Sequence, residues 1–88
     1  MAAAARLGLD VLVNCAAINP GGKIEDLSLD LWAKTLGVNL SGPFYCCRAA
    51  APFLKQRPGA AIVNISSSTA LVSQVGANYA ASKAGMMV

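Results

Sequence analysis

Tyr79 and Lys83 stand four residues apart in the stretch Tyr79-Ala-Ala-Ser-Lys-Ala-Gly85. On a helix that spacing puts both side chains on one face. A phenol has a reference pKa of about 10. It can move protons near neutrality only where a cation favours its phenolate, and a lysine one turn away supplies that charge. Taken alone, such a pair is usually a buried ring beside a solvated cation. Two further features bear on it. Ser66, Ser67 and Ser68 follow an apolar run, where α/β sheets present ligands at the C-terminal edge of their strands. A hydroxyl there can bond the oxygen of an alcohol or a carbonyl. Asn39, farther upstream, is placed to hold a water or to orient the lysine.

These residues need elements to position them. Residues 1–8 read as the end of a helix closed by Gly8. Val11-Leu-Val13 is a short apolar run bounded by Asp10 and by Asn19-Pro-Gly-Gly22. It suits a parallel strand buried on both faces. Ser28 is placed to cap a helix, with Asp30 favourable in the first turn. From Leu29 to about Gln56, apolar residues recur at helical spacing through Trp32, Leu36, Leu40 (or Asn39) and Phe44. Gly37, Gly42 and Pro43 interrupt the pattern, which predicts one long helix kinked or rewound near residues 37–43. Pro58-Gly59 ends it, and Ala61–Ile65 reads as a second strand. A further helix begins at Tyr79. The order of strand, long helix, strand, loop and helix is the grammar of a Rossmann-type doubly wound parallel sheet, with a right-handed crossover expected. Two strands do not make a stable parallel sheet, so the sequence reads as the middle of a larger α/β domain.

Composition removes other classes. The 88 residues are 56% hydrophobic and 12% charged, with a net charge of +3 and mean hydropathy of +0.54, which excludes a disordered tail. The cations are scattered rather than gathered in a stripe, so no nucleic-acid partner is expected. There is no histidine, and Cys15, Cys46 and Cys47 form no Cys-x-x-Cys pair, so no metal site is expected. The cysteines read as buried free thiols of a reducing compartment. Arg6 and Asp10 spoil the N-terminal stretch as a signal peptide, and no run reaches the roughly 18 apolar residues of a membrane span. The reading is a soluble, cytoplasmic protein without a membrane partner.

In its combination of motifs the sequence resembles the short-chain dehydrogenase/reductase family. The resemblance rests on Asp10-Val-Leu-Val-Asn-Cys-Ala-Ala17, Val38-Asn-Leu-Ser-Gly-Pro-Phe44, Ile62-Val-Asn-Ile-Ser-Ser67 and Tyr79-Ala-Ala-Ser-Lys-Ala-Gly85, in family order over nearly the whole chain. It implies an oxidoreductase that moves a hydride reversibly between the nicotinamide of NAD or NADP and a small alcohol or ketone. By resemblance Tyr79 is the general acid/base, and Lys83 assists it and bonds the nicotinamide ribose. A serine positions the substrate oxygen, and Asn39 supports a proton-relay water. Asn14 and Ala16 belong to a stretch that lies beside the cofactor, where the family usually has Asn-Asn-Ala-Gly and this chain has Asn14-Cys15-Ala16-Ala17. Twelve residues separate Ser66 from Tyr79, the family's usual spacing, whereas its strand ending Ile-Ser-Ser selects the second serine, Ser67. Loops accept deletions more readily than strand ends change register, which favours Ser67, with Ser66 as the alternative.

The resemblance also implies subunit contacts through the long helix, which carries apolar Phe44, Cys47, Ala50, Ala51 and Leu54, and hence a homo-oligomer. The family's glycine-rich phosphate loop has no counterpart in the sequence. Residues 1–88 therefore read as the central, catalytic segment of one NAD(P)-binding domain, without its phosphate-loop and substrate parts. An alternative is a truncated, inactive chain or a non-catalytic α/β module that retains the motifs.

Overall fold

A computed structural model of the chain describes residues 8–20, 22–67 and 76–87. Strand β1 (Val11–Asn14) is followed by a short 3-10 turn (Ile24–Asp26) and helix α1 (Leu29–Leu36). A π turn (Gly37–Ser41) joins α1 to α2 (Gly42–Leu54), and β2 (Ala61–Asn64) and α3 (Ala77–Met87) complete the order. The helix end expected over residues 1–8 lies, but for Gly8, outside the described residues; Gly8 has a positive φ of +87°. A Cβ at Gly8 would also displace the Arg57 guanidinium, but it is the positive φ that calls for glycine.

The two strands are parallel and pair from Val11 with Ala61 to Asn14 with Asn64. Ala61 N–H donates to Asp10 O at 2.9 Å and Ile65 N–H to Asn14 O at 3.0 Å, so the ladder extends past both ends. The ends are tied differently. At the start, Arg57 Nε meets Asp10 Oδ1 at 3.0 Å, an exposed ion pair worth at most about 1 kcal/mol. At the C-terminal end, Asn14 Nδ2 donates to Asn64 Oδ1 at 2.8 Å and locks the register where the site lies. The strands are not buried on both faces as their composition suggests. Val11 and Val13 are about half exposed, and Ile62, Val63 and Ile65 nearly so. Of the described helices, α2 is the one laid along the strands, and it covers one face.

The long helix forms where its spacing predicts, from Leu29 to Leu54. Ser28 caps it, its Oγ accepting from Leu31 N–H at 3.0 Å, and Asp30 sits in the first turn. The interruption at residues 37–43 is a π turn. Pro43 has no N–H to give to Asn39 O, the acceptor an α-helix would offer it. The helix widens instead, and Gly42 N–H bonds Gly37 O one residue farther back. The apolar residues that mark the helix are not the ones it buries: Leu29 is 86% and Phe44 60% exposed, while Thr35 and Asn39 are fully buried. No helix among the described residues is long and apolar enough to cross a membrane.

Replacing Ser28 by Ala removes the cap of α1 and is expected to cost about 1 kcal/mol in denaturant unfolding, with Ser28→Asp close to wild type. Equal stability of Ser28→Ala and the parent would show that the cap contributes nothing.

Candidate active site

Helix α3 is rich in alanine, a strong helix former, and it lies against α1 and the π turn. It places Tyr79 and Lys83 one turn apart, with Lys83 Nζ 5.9 Å from the centre of the Tyr79 ring. Tyr79 is partly buried. Lys83 is 2% exposed, a rare situation for a lysine without a partner charge. Among the described residues no carboxylate pairs with it. Its ammonium donates to Ile65 O, just past the end of β2, at 2.9 Å. The next residue holds the other end of the same lysine, for Ser66 Oγ donates to Lys83 O at 2.9 Å. The segment after β2 thus grips Lys83 by its backbone and by its charge. Ser67 follows, partly buried, with an interaction of its own. Ser68 lies outside the described residues.

Asn39 joins this group through its backbone-facing amide. Its Oδ1 accepts from Ile18 N–H at 2.9 Å, and its Nδ2 donates to Ile18 O at 2.8 Å and to Ser82 Oγ at 3.1 Å. Ser82 Oγ donates in turn to Tyr79 O at 2.8 Å. The side chain of Asn39 therefore holds the segment after β1 to α3; its amide is engaged with Ile18 and Ser82 and makes no bond to Lys83. Asn14 is 7% exposed, and its Nδ2 is committed to Asn64 and, at 3.5 Å, to Cys47 Sγ. Ala16 is exposed just beyond β1.

The cysteines correct an expectation. All three are free, but Cys15 and Cys46 are exposed and Cys47 is only partly buried. Cys15 and Cys46 line an open cleft of about 290 Å³ between β1 and the long helix, beside Val38 and Pro43. The helix does not close over the strand end there, which leaves both thiols in view.

Sequence reasoning did not single out Thr35, Asn78 or Ser82. Asn78 Nδ2 donates to Thr35 Oγ1 at 2.8 Å and lies 3.4 Å from Pro20 O. Thr35 Oγ1 donates to Leu31 O at 2.8 Å. A signal was present: Thr35 and Asn39 are four apart, as are Asn78 and Ser82, so each pair puts two uncharged polar side chains on one helix face.

The family model for short chain dehydrogenases matches residues 1–88. The chain belongs to the short-chain dehydrogenase family. It is 45% identical over 87 residues to the trans-4-hydroxycyclohexanecarboxylate dehydrogenase of Sinomonas cyclohexanicum, covering 97% of this chain and 33% of that protein. Among solved structures, the ligand-free aldohexose dehydrogenase of Thermoplasma acidophilum superposes with a TM-score of 0.86 at 36% identity, over 91% of this chain and 32% of that one. A blue fluorescent protein from a metagenomic library, in complex with NADPH, superposes with a TM-score of 0.82 at 34% identity, over 89% of this chain and 32% of that one. The chain spans about a third of the length of the relatives it matches. The partial Rossmann-type reading of the fold is shown by these superpositions and by the parallel β1–β2 pair.

Replacing Asn39 by Ala would leave Ile18 N–H and C=O to find other partners and remove the link to Ser82. The expected loss in denaturant unfolding is about 2–4 kcal/mol. Stability within about 0.5 kcal/mol of wild type would show that water replaces the amide at little cost.

Proposed function

We propose that this chain carries the proton-transfer centre of a nicotinamide-dependent oxidoreductase acting on a small alcohol or ketone. The observation that carries the reading is the buried Lys83 ammonium, set within 5.9 Å of the Tyr79 ring centre and held by Ile65 O at the strand end. The donor set fits the cofactor. An ammonium has three N–H donors; one is given to Ile65 O, and no described side chain takes the other two. Ribose hydroxyls suit them. The NADPH-bound neighbour supports a nicotinamide dinucleotide as the cofactor. NAD and NADP both fit this donor set, and when bound the nicotinamide supplies or accepts the hydride.

The residues of the chain do the rest. Tyr79 Oη takes the proton of the alcohol oxygen during oxidation and returns it during ketone reduction. The Lys83 charge stabilises the negative charge on the Tyr79 oxygen whenever it lacks its proton, in a site where burial weakens screening. Ser67 bonds the substrate oxygen, with Ser66, whose hydroxyl donates to Lys83 O, as the alternative. Asn39 acts as a positioning residue, its amide bonding Ile18 and Ser82 rather than a water or Lys83. Asn14 and Ala16 border the cofactor through the chain after β1, because the Asn14 amide is already engaged. Residues 1–88 serve as the central, catalytic part of a single dinucleotide-binding domain. The exposed Phe44 and Tyr45 of α2, packed edge to face at 5.7 Å, support a homo-oligomer, and three free thiols support a cytoplasmic setting.

In the full-length protein, Tyr79→Phe is expected to lower kcat by about 10²-fold or more while cofactor Kd stays within a few-fold. Lys83→Met should damage both. A Tyr79→Phe enzyme with near-normal kcat under conditions where chemistry limits the rate would overturn the assignment. Ser67→Ala should lower kcat far more than Ser66→Ala, whose effect should fall on stability instead; the opposite ranking would return the role to Ser66.

A further inference from the structure

Two buried hydrogen bonds join the long helix to α3, and they run in step. Asn78 meets Thr35 at 2.8 Å, and four residues on in each helix Ser82 meets Asn39 at 3.1 Å. All four residues are fully buried. Residue numbers rise together along the two rungs, so the helices run in the same direction there, and the rungs are about 6 Å apart along them. Each rung residue of α3 is followed directly by a residue of the proposed centre, Asn78 by Tyr79 and Ser82 by Lys83.

We propose that Thr35 and Asn78 are positioning residues: their bond, in step with that of Asn39 and Ser82, sets the register and rotation of α3 and so places Tyr79 and Lys83 against the end of β2. This rests on the reading of Tyr79 as the acid/base. Ala77, Ala80, Ala81 and Ala84 give α3 small side chains and Gly85 takes Leu40 of the long helix against its backbone, so polar contacts share with this packing the task of orienting the helix. Apolar contact is non-directional and tolerates sliding. A slip of one residue, which turns the helix by about 100°, would instead break both rungs and take the Asn78 amide and one Asn39 N–H from their buried acceptors. The direction of the Thr35 rung is fixed as well. The Thr35 hydroxyl gives its hydrogen to Leu31 O, so it can only accept from Asn78. Asn78 Oδ1 is buried with no partner, so the donors of this amide alone hold it in place.

The test compares Thr35→Val, which keeps the shape and loses the hydroxyl, with Thr35→Ser, which keeps the hydroxyl, in the full-length protein. Thr35→Val is expected to lower kcat about tenfold with cofactor Kd within about twofold, because a small displacement of a catalytic group costs rate rather than binding. The primary deuterium isotope effect with substrate labelled at the carbinol carbon should rise, as chemistry becomes more limiting. Thr35→Ser should restore both values. Asn78→Ala removes the same bond from the other helix and should repeat the loss if Thr35→Val folds poorly. A merely structural role would lower Tm in Thr35→Val and leave kcat per folded enzyme and the isotope effect unchanged, which overturns the proposal. Tyr79→Phe is measured alongside. If it is inactive while Thr35→Val and Asn78→Ala are normal, the positioning role alone fails. If it retains kcat, the underlying assignment fails and the positioning role with it.

Discussion

Asn39 is fully buried where the long helix, α3 and the segment after β1 meet, and its amide makes three hydrogen bonds there. A buried amide must be satisfied or the fold bears the desolvation of its polar atoms. Two of the three bonds go to the N–H and C=O of one residue, Ile18, so the side chain pairs with the backbone much as a neighbouring strand would. The third reaches Ser82, and from there the link passes to Tyr79 O. One side chain therefore ties the route of the chain beyond β1 to the seating of α3, beside the Asn78 contacts to Thr35 and Pro20 O. That side chain sits within the π turn, where Pro43 withholds the donor that a regular helix would need.

The consequence is an interior of unusual character. In a chain that is 56% hydrophobic, the largest fully buried side chains are Lys83, Asn39, Asn78, Thr35 and Ser82. Apolar burial is confined to Ala50, Leu54 and Met86 among the described residues. Polar contacts are directional, so they specify a single arrangement in a way that alanine against leucine does not. That specificity is what a proton-transfer centre requires, because effective proton transfer depends on groups held at hydrogen-bond reach. The strand-end contacts act in the same sense. Ile65 and Ser66 hold Lys83 at both ends, and the Asn14–Asn64 bond keeps the strands level beneath them.

Local signals in the sequence carried a large part of this. The two apolar runs became parallel partners, Ser28 capped the helix, and Gly37, Gly42 and Pro43 marked the segment that rewinds. The Tyr79–Lys83 spacing put both residues on one face of α3, because four residues is close to one turn. What stayed hidden depends on residues far apart in the chain. Asn39 and Ser82 are separated by 43 positions, as are Thr35 and Asn78, and no local pattern says that one stripe will face the other. The Asn39 amide looked available for a water because its partner Ile18 is a backbone group with no sequence signature. Cys15 and Cys46 looked buried because thiols usually are, yet they border a cleft that the helix leaves open. Strand composition speaks of two covered faces; within these residues, about a third of the relatives' length, one is covered.

Native-state hydrogen exchange of the full-length protein tests the central claim, that α3 and the segment after β1 are held together through Asn39. The Ile18 amide donates to Asn39 Oδ1, so it should exchange slowly and with the same opening free energy as the amides of α3, as members of one cooperative unit. An Ile18 amide that exchanges at the rate of an open loop while α3 stays protected would contradict the account.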